Sequence, residues 1–281
     1  MYPTLFRWFP KSALSRMMGW LADRPWPAPV LRTVVRLYIA AFGIDMADYA
    51  DPPEAHRSFT AFFTRRLKPG TRPLDPDPHR VVSPVDGAVS EVGRIAGGRL
   101  IQAKGIDYGL KELLGGDPAW ETYIEGSFVT LYLSPRDYHR IHSPVSGKVT
   151  RFLYRPGELW TVSPAGVRTV VGLFNRNERI VTFIAAEFGE VALVAVGATV
   201  VGRMRMVYHP ITSNRRGAGA LREHLDPPYP VERGGELGRF ELGSTVICLF
   251  RPGEVVLDPL KREQIVRLRQ GIGTVGMVGR T

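Results

Sequence analysis

The chain has 281 residues, of which 44% are hydrophobic and 23% charged, which excludes disorder as its main state and allows a sizeable buried core. Its 30 glycines and 23 prolines are too many for a helical bundle and favour a chain rich in strands, turns and loops. The formal net charge of +10 predicts an anionic partner, which charge alone leaves open between nucleic acid, a membrane surface and a phosphorylated substrate.

The first forty residues are basic and rich in tryptophan. A single acid, Asp23, stands there beside basic and tryptophan residues: Arg7, Trp8, Lys11, Arg16, Trp20, Arg24, Trp26, Arg32 and Arg36. Apolar residues at helical spacing predict two amphipathic helices, over 14–21 and 31–42, with three prolines between them. Such helices suit the interface of an anionic membrane, and they equally suit packing against a protein core.

A third helix is predicted from Ser58, a candidate N-cap, to a point before Gly70. Beyond about Val81 the chain changes to runs of β-branched and aromatic residues separated by Gly and Pro, which predict strands. The clearest runs are Ser127–Leu133, Ile180–Ile184, Val191–Val201 and Thr245–Phe250. The longest run without a charge, Val191–Gly202, has twelve residues against the roughly 20 of a spanning helix, so no transmembrane segment is expected.

Two short motifs occur twice. Ser83-Pro84-Val85-Asp86-Gly87 returns as Ser143-Pro144-Val145-Ser146-Gly147, and Arg155-Pro156-Gly157-Glu158 returns as Arg251-Pro252-Gly253-Glu254. Repeated strand-turn units indicate a duplicated β-hairpin sandwich of the lipoyl-like kind, although common turn pairs also recur by coincidence. The predicted class is α+β and mostly β, with N-terminal amphipathic helices. Residues 208–236 are interpreted as a long polar loop, either a substrate lid or an ordinary excursion.

Four residues are of the types that carry nucleophilic chemistry. Ser244 follows a glycine at the mouth of a buried strand, His139 and His142 lie three residues apart, and Asp86 lies in a turn. Each also has an ordinary structural interpretation, as a turn, a core pair or a solvated side chain. His-x-x-His without a third ligand motif does not predict a metal site, and the single cysteine, Cys248, excludes an internal disulfide and indicates a reducing cytoplasm.

At these residues the chain resembles the pyruvoyl-dependent phosphatidylserine decarboxylases. The resemblance lies in several motifs in the same order, from about residue 80 to the C-terminus: Pro84–Gly87, Tyr132–His142, Phe174–Arg179, Val196–Thr199 and Gly238–Val246. The N-terminal helices are similar to the family's membrane-binding segment. The resemblance therefore implies a membrane-associating region over 1–70 and a catalytic β-rich domain over 71–281; it is weakest in the segment 208–236.

The resemblance implies a proenzyme that cuts itself. In the family's mechanism the serine, here Ser244, attacks the carbonyl of Gly243 to form an ester, with His142 as general base and Asp86 orienting it. Elimination and loss of ammonia then leave a covalent pyruvoyl group at position 244. The products are a β chain of residues 1–243 and an α chain of residues 244–281.

The same resemblance implies the reaction. The pyruvoyl ketone forms a Schiff base with the amine of phosphatidylserine, accepts the electrons released with CO2, and yields phosphatidylethanolamine. His139 is assigned to this second phase, as the residue that participates in proton delivery. The implied partners are phosphatidylserine, an anionic membrane surface on whose cytoplasmic face the enzyme is peripheral, and a second copy of the cut pair in a homodimer.

Other functions remain open at this point. A pyruvoyl-dependent decarboxylase of a soluble amino acid is the nearest alternative, and a serine hydrolase would keep Ser244 in an uncut chain. A lipoyl-type carrier needs a lysine at a hairpin tip, where Asp86 and Ser146 stand instead. A nucleic-acid binder rests on charge alone, without a basic and aromatic strand platform, so no nucleic-acid partner is predicted. Several arginines are candidates for phosphate contacts, although most surface arginines are only solvated: Arg65, Arg66, Arg203, Arg205, Arg215 and Arg216.

Overall fold

Residues 11–103, 106–199, 203–241 and 244–276 are described by a computed structural model of the chain. The helices are α1 (Lys11–Asp23), α2 (Ala28–Phe42), α3 (Phe59–Phe63), α4 (Leu110–Leu113), α5 (Pro164–Thr169) and α6 (Leu173–Arg176). Short 3-10 turns cover Pro53–Ala55 and Pro118–Tyr123. The three predicted N-terminal helices are confirmed, and the Ser58 hydroxyl caps α3 by accepting a hydrogen bond from Ala61 N at 3.1 Å.

The strands follow in chain order: β1 (Arg80–Val82), β2 (Gly87–Arg94), β3 (Arg99–Ala103), β4 (Ile106–Gly109), β5 (Ser127–Leu133), β6 (Arg140–His142), β7 (Gly147–Arg155), β8 (Arg179–Ala186), β9 (Gly189–Gly197), β10 (Met204–Met206), β11 (Leu221–Val231), β12 (Glu236–Phe240), β13 (Ser244–Phe250), β14 (Val255–Leu257), β15 (Ile265–Val266) and β16 (Gly271–Val275). Eight of them form one antiparallel sheet in the order β11-β7-β8-β9-β13-β5-β2-β15. Smaller sheets are β10-β12-β6, β1-β16-β14 and β3-β4.

Both faces of the large sheet are covered. On β13 every residue is buried, and the side chains alternate between two apolar clusters, with Val246 and Cys248 in one and Ile247 and Leu249 in the other. A strand buried on both faces has a continuous apolar sequence, which is the pattern seen in this segment. The mostly β class with N-terminal helices is therefore confirmed.

The N-terminal helices pack on the β body with only part of their apolar surface. Leu31 and Val35 of α2 are buried in a cluster with Tyr138 and Leu268 of the body. Other large apolar side chains of this region stay exposed: Met17, Trp20, Trp26, Val30, Val34, Leu37 and Phe42. The structure is thus compatible with both packing on the protein core and binding to a membrane, because some apolar side chains of the helices face the body and others face outward.

The turns 83–87 and 143–147 have matching geometry. In each, the serine hydroxyl donates to the carbonyl of the valine two residues on, at 2.7 Å in the first turn and 2.6 Å in the second. Two reciprocal backbone hydrogen bonds join the turns at equivalent positions: Val82 N to Pro144 O at 3.0 Å and His142 N to Pro84 O at 2.9 Å. The two copies of the repeated sequence therefore form equivalent turns that are hydrogen-bonded to each other.

The prediction of a long loop over 208–236 is wrong for its middle part, Leu221–Val231. Residues Leu221–Val231 form β11, which pairs antiparallel with β7 at the edge of the large sheet. Three prolines lie in this strand, and proline is tolerated at an edge because only one side of the strand must donate to a neighbour. The exposed, polar sequence is that of an edge strand, which resembles a loop in composition.

Within the described ranges, no helix combines the length and the apolar character needed to cross a bilayer.

Candidate active site

Ser244 begins β13 in the middle of the eight-stranded sheet. It pairs with Leu133 on β5 and with Gly197 on β9. Because both neighbours run antiparallel to β13, their last residues meet its first, and the segments that follow Leu133 and Gly197 start beside Ser244. The Ser244 side chain is buried, and its Oγ has no hydrogen-bond partner among the described residues. A buried hydroxyl without a partner is unusual and calls for an explanation.

An apolar cavity of about 710 Å³ lies against Ser244, between the helices and the sheet. Leu133, Val162 and Ala198 line its wall on the β body. The opposite wall comes from the N-terminal helices, with Trp26, Leu31, Val34, Leu37, Tyr38, Phe42 and Phe63 among its residues. The cavity thus connects Ser244 with the same helical surface whose apolar side chains are exposed.

His139 lies in the segment that follows β5 and contacts Phe63, a residue of the cavity wall. Its Nδ1 is 2.7 Å from the Asp137 carbonyl, which can only accept, so Nδ1 carries the proton and Nε2 keeps its lone pair. Nε2 is buried without a partner among the described residues, and the ring packs on Phe63 with centroids 4.0 Å apart. Burial, helped by the nearby charge of Arg65, lowers the pKa of His139 to about 3. The ring is neutral at physiological pH.

His142 lies in different surroundings. Its Nδ1 donates to the Gly234 carbonyl at 3.0 Å, and its Nε2 is 3.3 Å from the Tyr138 hydroxyl. Burial lowers the pKa of His142 to about 4, although the hydrogen bond to Gly234 acts in the opposite direction. The ring lines a polar pocket of about 420 Å³ together with Arg72, Arg140, Glu236 and Arg269.

Asp86 is buried and paired with an arginine. Arg72 donates from Nε to both Asp86 oxygens, at 3.0 and 3.1 Å, and from Nη2 to Oδ2 at 2.7 Å. Leu268 N donates to Oδ1 at 2.7 Å, and Arg267 lies 3.5 Å from Oδ2. Among the described contacts, neither oxygen of Asp86 is hydrogen-bonded to His142. The two residues are linked through the turn, since His142 N donates to Pro84 O two residues before Asp86.

The structure therefore brings the predicted residues together in two groups. Ser244 adjoins the apolar cavity, and His139 packs on Phe63 at its wall, whereas His142 shares the polar pocket with Arg72, the partner of Asp86. Gly243 lies outside the described residues.

Three residues of the site were not predicted as such, and a fourth was assigned a different role. Phe63 contacts His139, and Arg72 holds Asp86. Asn177 braces the wall near Ser244, because its amide nitrogen donates to Gly197 O and Trp160 O at 2.8 Å while its oxygen accepts from Trp160 N at 2.9 Å. Only Asn177 carried a signal, since it lies in the motif Phe174–Arg179. Arg65, interpreted as a phosphate candidate, is buried instead.

Other arginine candidates also have protein partners. Arg203 and Arg205 both bind the buried carboxylate of Glu241, with 2.8 Å between Arg205 Nε and Oε1. Arg203 further binds Asp23 at the end of α1, at 2.6 Å. Arg203 therefore links Glu241, in the segment before Ser244, to the end of α1.

Comparison with known proteins decides the family. The family model for phosphatidylserine decarboxylase matches residues 59–274. The chain belongs to the phosphatidylserine decarboxylase family. It is 49% identical over 273 residues to the phosphatidylserine decarboxylase proenzyme of Anaeromyxobacter sp. (strain K), covering 96% of each chain. It is 46% identical over 272 residues to that of Myxococcus xanthus, covering 96% of this chain and 97% of the relative.

Similarity to the phosphatidylserine decarboxylase proenzymes extends to more distant relatives. The chain is 39% identical over 277 residues to the proenzyme of Coxiella burnetii, covering 98% of each chain. The predicted family, the carboxy-lyase class, phosphatidylserine decarboxylase function and the proenzyme nature are confirmed. Phosphatidylserine decarboxylase proenzymes carry a serine-derived pyruvoyl group, so the predicted cofactor is confirmed as well.

Proposed function

We propose that this chain is a self-processing, membrane-associated decarboxylase that converts phosphatidylserine to phosphatidylethanolamine with a pyruvoyl group made from Ser244. The observation that carries the proposal is the apolar cavity that joins Ser244 to the exposed face of the N-terminal helices. A diacyl lipid needs such a route, because its acyl chains would otherwise enter water as the headgroup reaches the reacting atom. A soluble amino acid needs no apolar passage of this size.

Ser244 fits a pyruvoyl precursor. Its Oγ is buried and without a described partner, which leaves the oxygen available to attack a carbonyl. Cleavage between Gly243 and Ser244 would give a β chain of 1–243 and an α chain of 244–281. The pyruvoyl ketone supplies an electron sink for the carbanion that decarboxylation leaves. The walls formed by Leu133, Val162 and Phe63 exclude water from this point and weaken solvation of a substrate carboxylate, which favours loss of CO2.

In the proposal His142 is the general base for self-cleavage and His139 moves protons during decarboxylation. Both rings are neutral at pH 7 and hold the proton on Nδ1, so each Nε2 keeps its lone pair. The His139 Nε2 has no described partner, whereas the His142 Nε2 accepts from the Tyr138 hydroxyl at 3.3 Å and must exchange that contact to act as a base. Asp86 positions His142 by way of the turn that contains Pro84. His139→Ala should be processed but inactive, and His142→Ala should stay uncut. The reverse pattern would exchange the two roles.

The proposed location is the cytoplasmic face of the cell membrane, with the enzyme peripheral. Trp20 of α1, Leu37 of α2 and Trp26 between the two helices supply exposed apolar side chains, and Arg24 and Arg32 supply positive charge in the same region. Sedimentation with vesicles of anionic and of neutral lipid tests this directly. We expect Leu37→Glu to weaken binding without lowering the thermal midpoint, because this side chain is 65% exposed. A homodimer of the cut pair is part of the proposal, and light scattering of the purified protein tests it.

We further propose that the body is a duplicated β-hairpin sandwich of the lipoyl-like kind, preceded by a separate helical region over 1–70. The equivalent turns 83–87 and 143–147, with their reciprocal hydrogen bonds, support the duplication. Each turn leads into a long strand of the large sheet, β2 in one case and β7 in the other.

The first experiment is the intact mass of the purified protein, followed by decarboxylation of phosphatidylserine in vesicles and of free serine. We expect two chains divided after Gly243, the smaller lighter by one ammonia than its serine-ended form, and CO2 release from the lipid only. Ser244→Ala is the matched control and should give one uncut, inactive chain. CO2 release from free serine alone would instead indicate a soluble-substrate enzyme.

A further inference from the structure

Arg65 is a buried arginine without an acidic partner among the described residues. Its side chain is 1% exposed, and its guanidinium stacks on the ring of Tyr49 at 4.1 Å and near that of Phe62 at 5.0 Å. Nη2 alone makes hydrogen bonds, while Nε and Nη1 have no partner in the described part of the chain. Burying an unpaired cation is unfavourable, and an apolar side chain of similar volume in its place would avoid that cost. Stability alone therefore does not explain the arginine.

Two of the three side-chain hydrogen bonds of Arg65 end on the segment that carries His139, and the third goes to the Tyr49 hydroxyl at 3.0 Å. Nη2 donates to Arg136 O at 3.1 Å and lies 3.5 Å from Asp137 O. The Asp137 carbonyl is also the acceptor for His139 Nδ1, at 2.7 Å. One carbonyl thus joins the guanidinium to the imidazole. A carbonyl fixed in this direction selects the tautomer with the proton on Nδ1, which leaves Nε2 unprotonated.

The electrostatic surroundings of His139 agree with this arrangement. Its pKa is lowered chiefly by burial and next by the charge of Arg65. The Asp137 carboxylate is directed elsewhere, since Oδ2 accepts from Ser134 N and Oγ at 2.7 Å. From the other elements His139 meets the apolar ring of Phe63 and the backbone of Phe240, whose N–H donates to His139 O. In the described part of the chain, no carboxylate forms an ion pair with Arg65 or with His139.

We propose that Arg65 is a positioning residue for the decarboxylation step: by holding the Arg136 and Asp137 carbonyls, it fixes the orientation and tautomer of His139. This inference rests on the proposed role of His139 in proton transfer. It also gives the N-terminal region a part in the chemistry, because Arg65 follows directly on α3 and belongs to the β chain before the catalytic body begins.

The test compares Arg65→Met, Arg65→Lys and the control Arg57→Met, which removes an exposed arginine just before α3. We expect all three to be cut into two chains as wild type is. For Arg65→Met we expect kcat to fall about 10-fold or more while KM stays within about twofold, since an imidazole in the wrong tautomer is a poor proton carrier. Arg65→Lys should recover part of kcat, because an ammonium still donates to carbonyls. Arg57→Met should match wild type.

Nitrogen-15 NMR of the histidines gives a second readout that does not depend on turnover. In wild type we expect His139 as the Nδ1–H tautomer, with a proton that exchanges slowly because it is buried. In Arg65→Met we expect that signal to broaden or a second tautomer to appear. If this variant fails to fold, the Arg65→Lys kinetics and the wild-type tautomer decide the question.

Two results would overturn the inference: an Nε2–H tautomer in wild type, or variants of Arg65 that fold and keep wild-type kcat. A separate experiment tests the proposed role of His139 in proton transfer. If His139→Ala decarboxylates at the wild-type rate, then His139 is not the proton carrier, whatever the Arg65 variants do to the tautomer.

Discussion

The pair formed by Arg72 and Asp86 offers the sharpest test of how the site is held together. The two side chains are 9% and 2% exposed, and three hydrogen bonds of 2.7 to 3.1 Å join them. Arg72→Met keeps an apolar stem of similar length and leaves the carboxylate without its main partner. Removing one member of a buried pair typically costs about 3–5 kcal/mol.

The other contacts of Asp86 narrow the expected loss in the free energy of unfolding. Asp86 keeps the hydrogen bond from Leu268 N at 2.7 Å and the more distant Arg267, which is 58% exposed and therefore screened by water. We expect the loss to lie at the lower end, about 3 kcal/mol, or roughly 6–12 °C in thermal midpoint for a chain of this size. Arg36→Met is the matched control, because Arg36 and Glu54 form a pair at 3.0 Å that is 69% and 38% exposed. That change should cost less than about 1 kcal/mol.

Chemical unfolding of each variant in an uncut Ser244→Ala background measures the effect without interference from processing. Asp86→Asn added to Arg72→Met should restore part of the loss, because an amide carries no charge to be left unpaired in the interior. The reasoning fails if Arg72→Met unfolds within about 1 kcal/mol of its parent, or if the two substitutions are additive.

Three other predictions follow from burial and close approach. Stability should fall as pH drops from about 6.5 towards 4, because the unfolded chain then protonates His139 and His142 while the folded chain leaves them neutral. Thermal midpoints across this pH range measure the effect, and a midpoint that does not change with pH would contradict it. Gly87→Ala and Gly147→Ala should each destabilise the fold, because an added Cβ would meet a backbone carbonyl of the neighbouring strand. Unfolding midpoints near wild type would refute this. Cys248, buried and with its pKa raised to about 12, should react with a thiol reagent at pH 8 only in denaturant, and modification of the native protein would show otherwise.

Sequence predicts best the elements that are buried along their whole length or that begin at a clear capping residue. The predicted strand Thr245–Phe250 is nearly continuous in apolar residues and corresponds to the central strand β13. The predicted N-cap Ser58 caps α3. Leu221–Val231 gave no such signal, because an exposed edge strand with prolines has the composition of a loop. Its pairing with β7 depends on residues some seventy positions away, which local pattern cannot reveal.

For the site, sequence predicts residue types but not their partners. His139 and His142 look like a pair when they are read along the chain. In an extended segment, however, residues three apart point to opposite faces, so one ring packs on the cavity wall and the other lines the polar pocket. Asp86 similarly pairs with Arg72, which stands before the first recognisable strand and belongs to none of the motifs.

The position of β13 explains how the chain could be cut before Ser244, as proposed, without coming apart. β13 lies between β9 and β5 and is hydrogen-bonded to both along its length, so cleavage before its first residue breaks one covalent bond and none of the sheet pairing. Farther along the proposed α chain, Leu268 N binds Asp86, and Arg269 donates to the Gly234 carbonyl that also accepts from His142. The new chain end would thus arise at a strand that is hydrogen-bonded on both sides. A cofactor made from Ser244, as proposed, would therefore be kept against the apolar cavity by the same contacts that form the core.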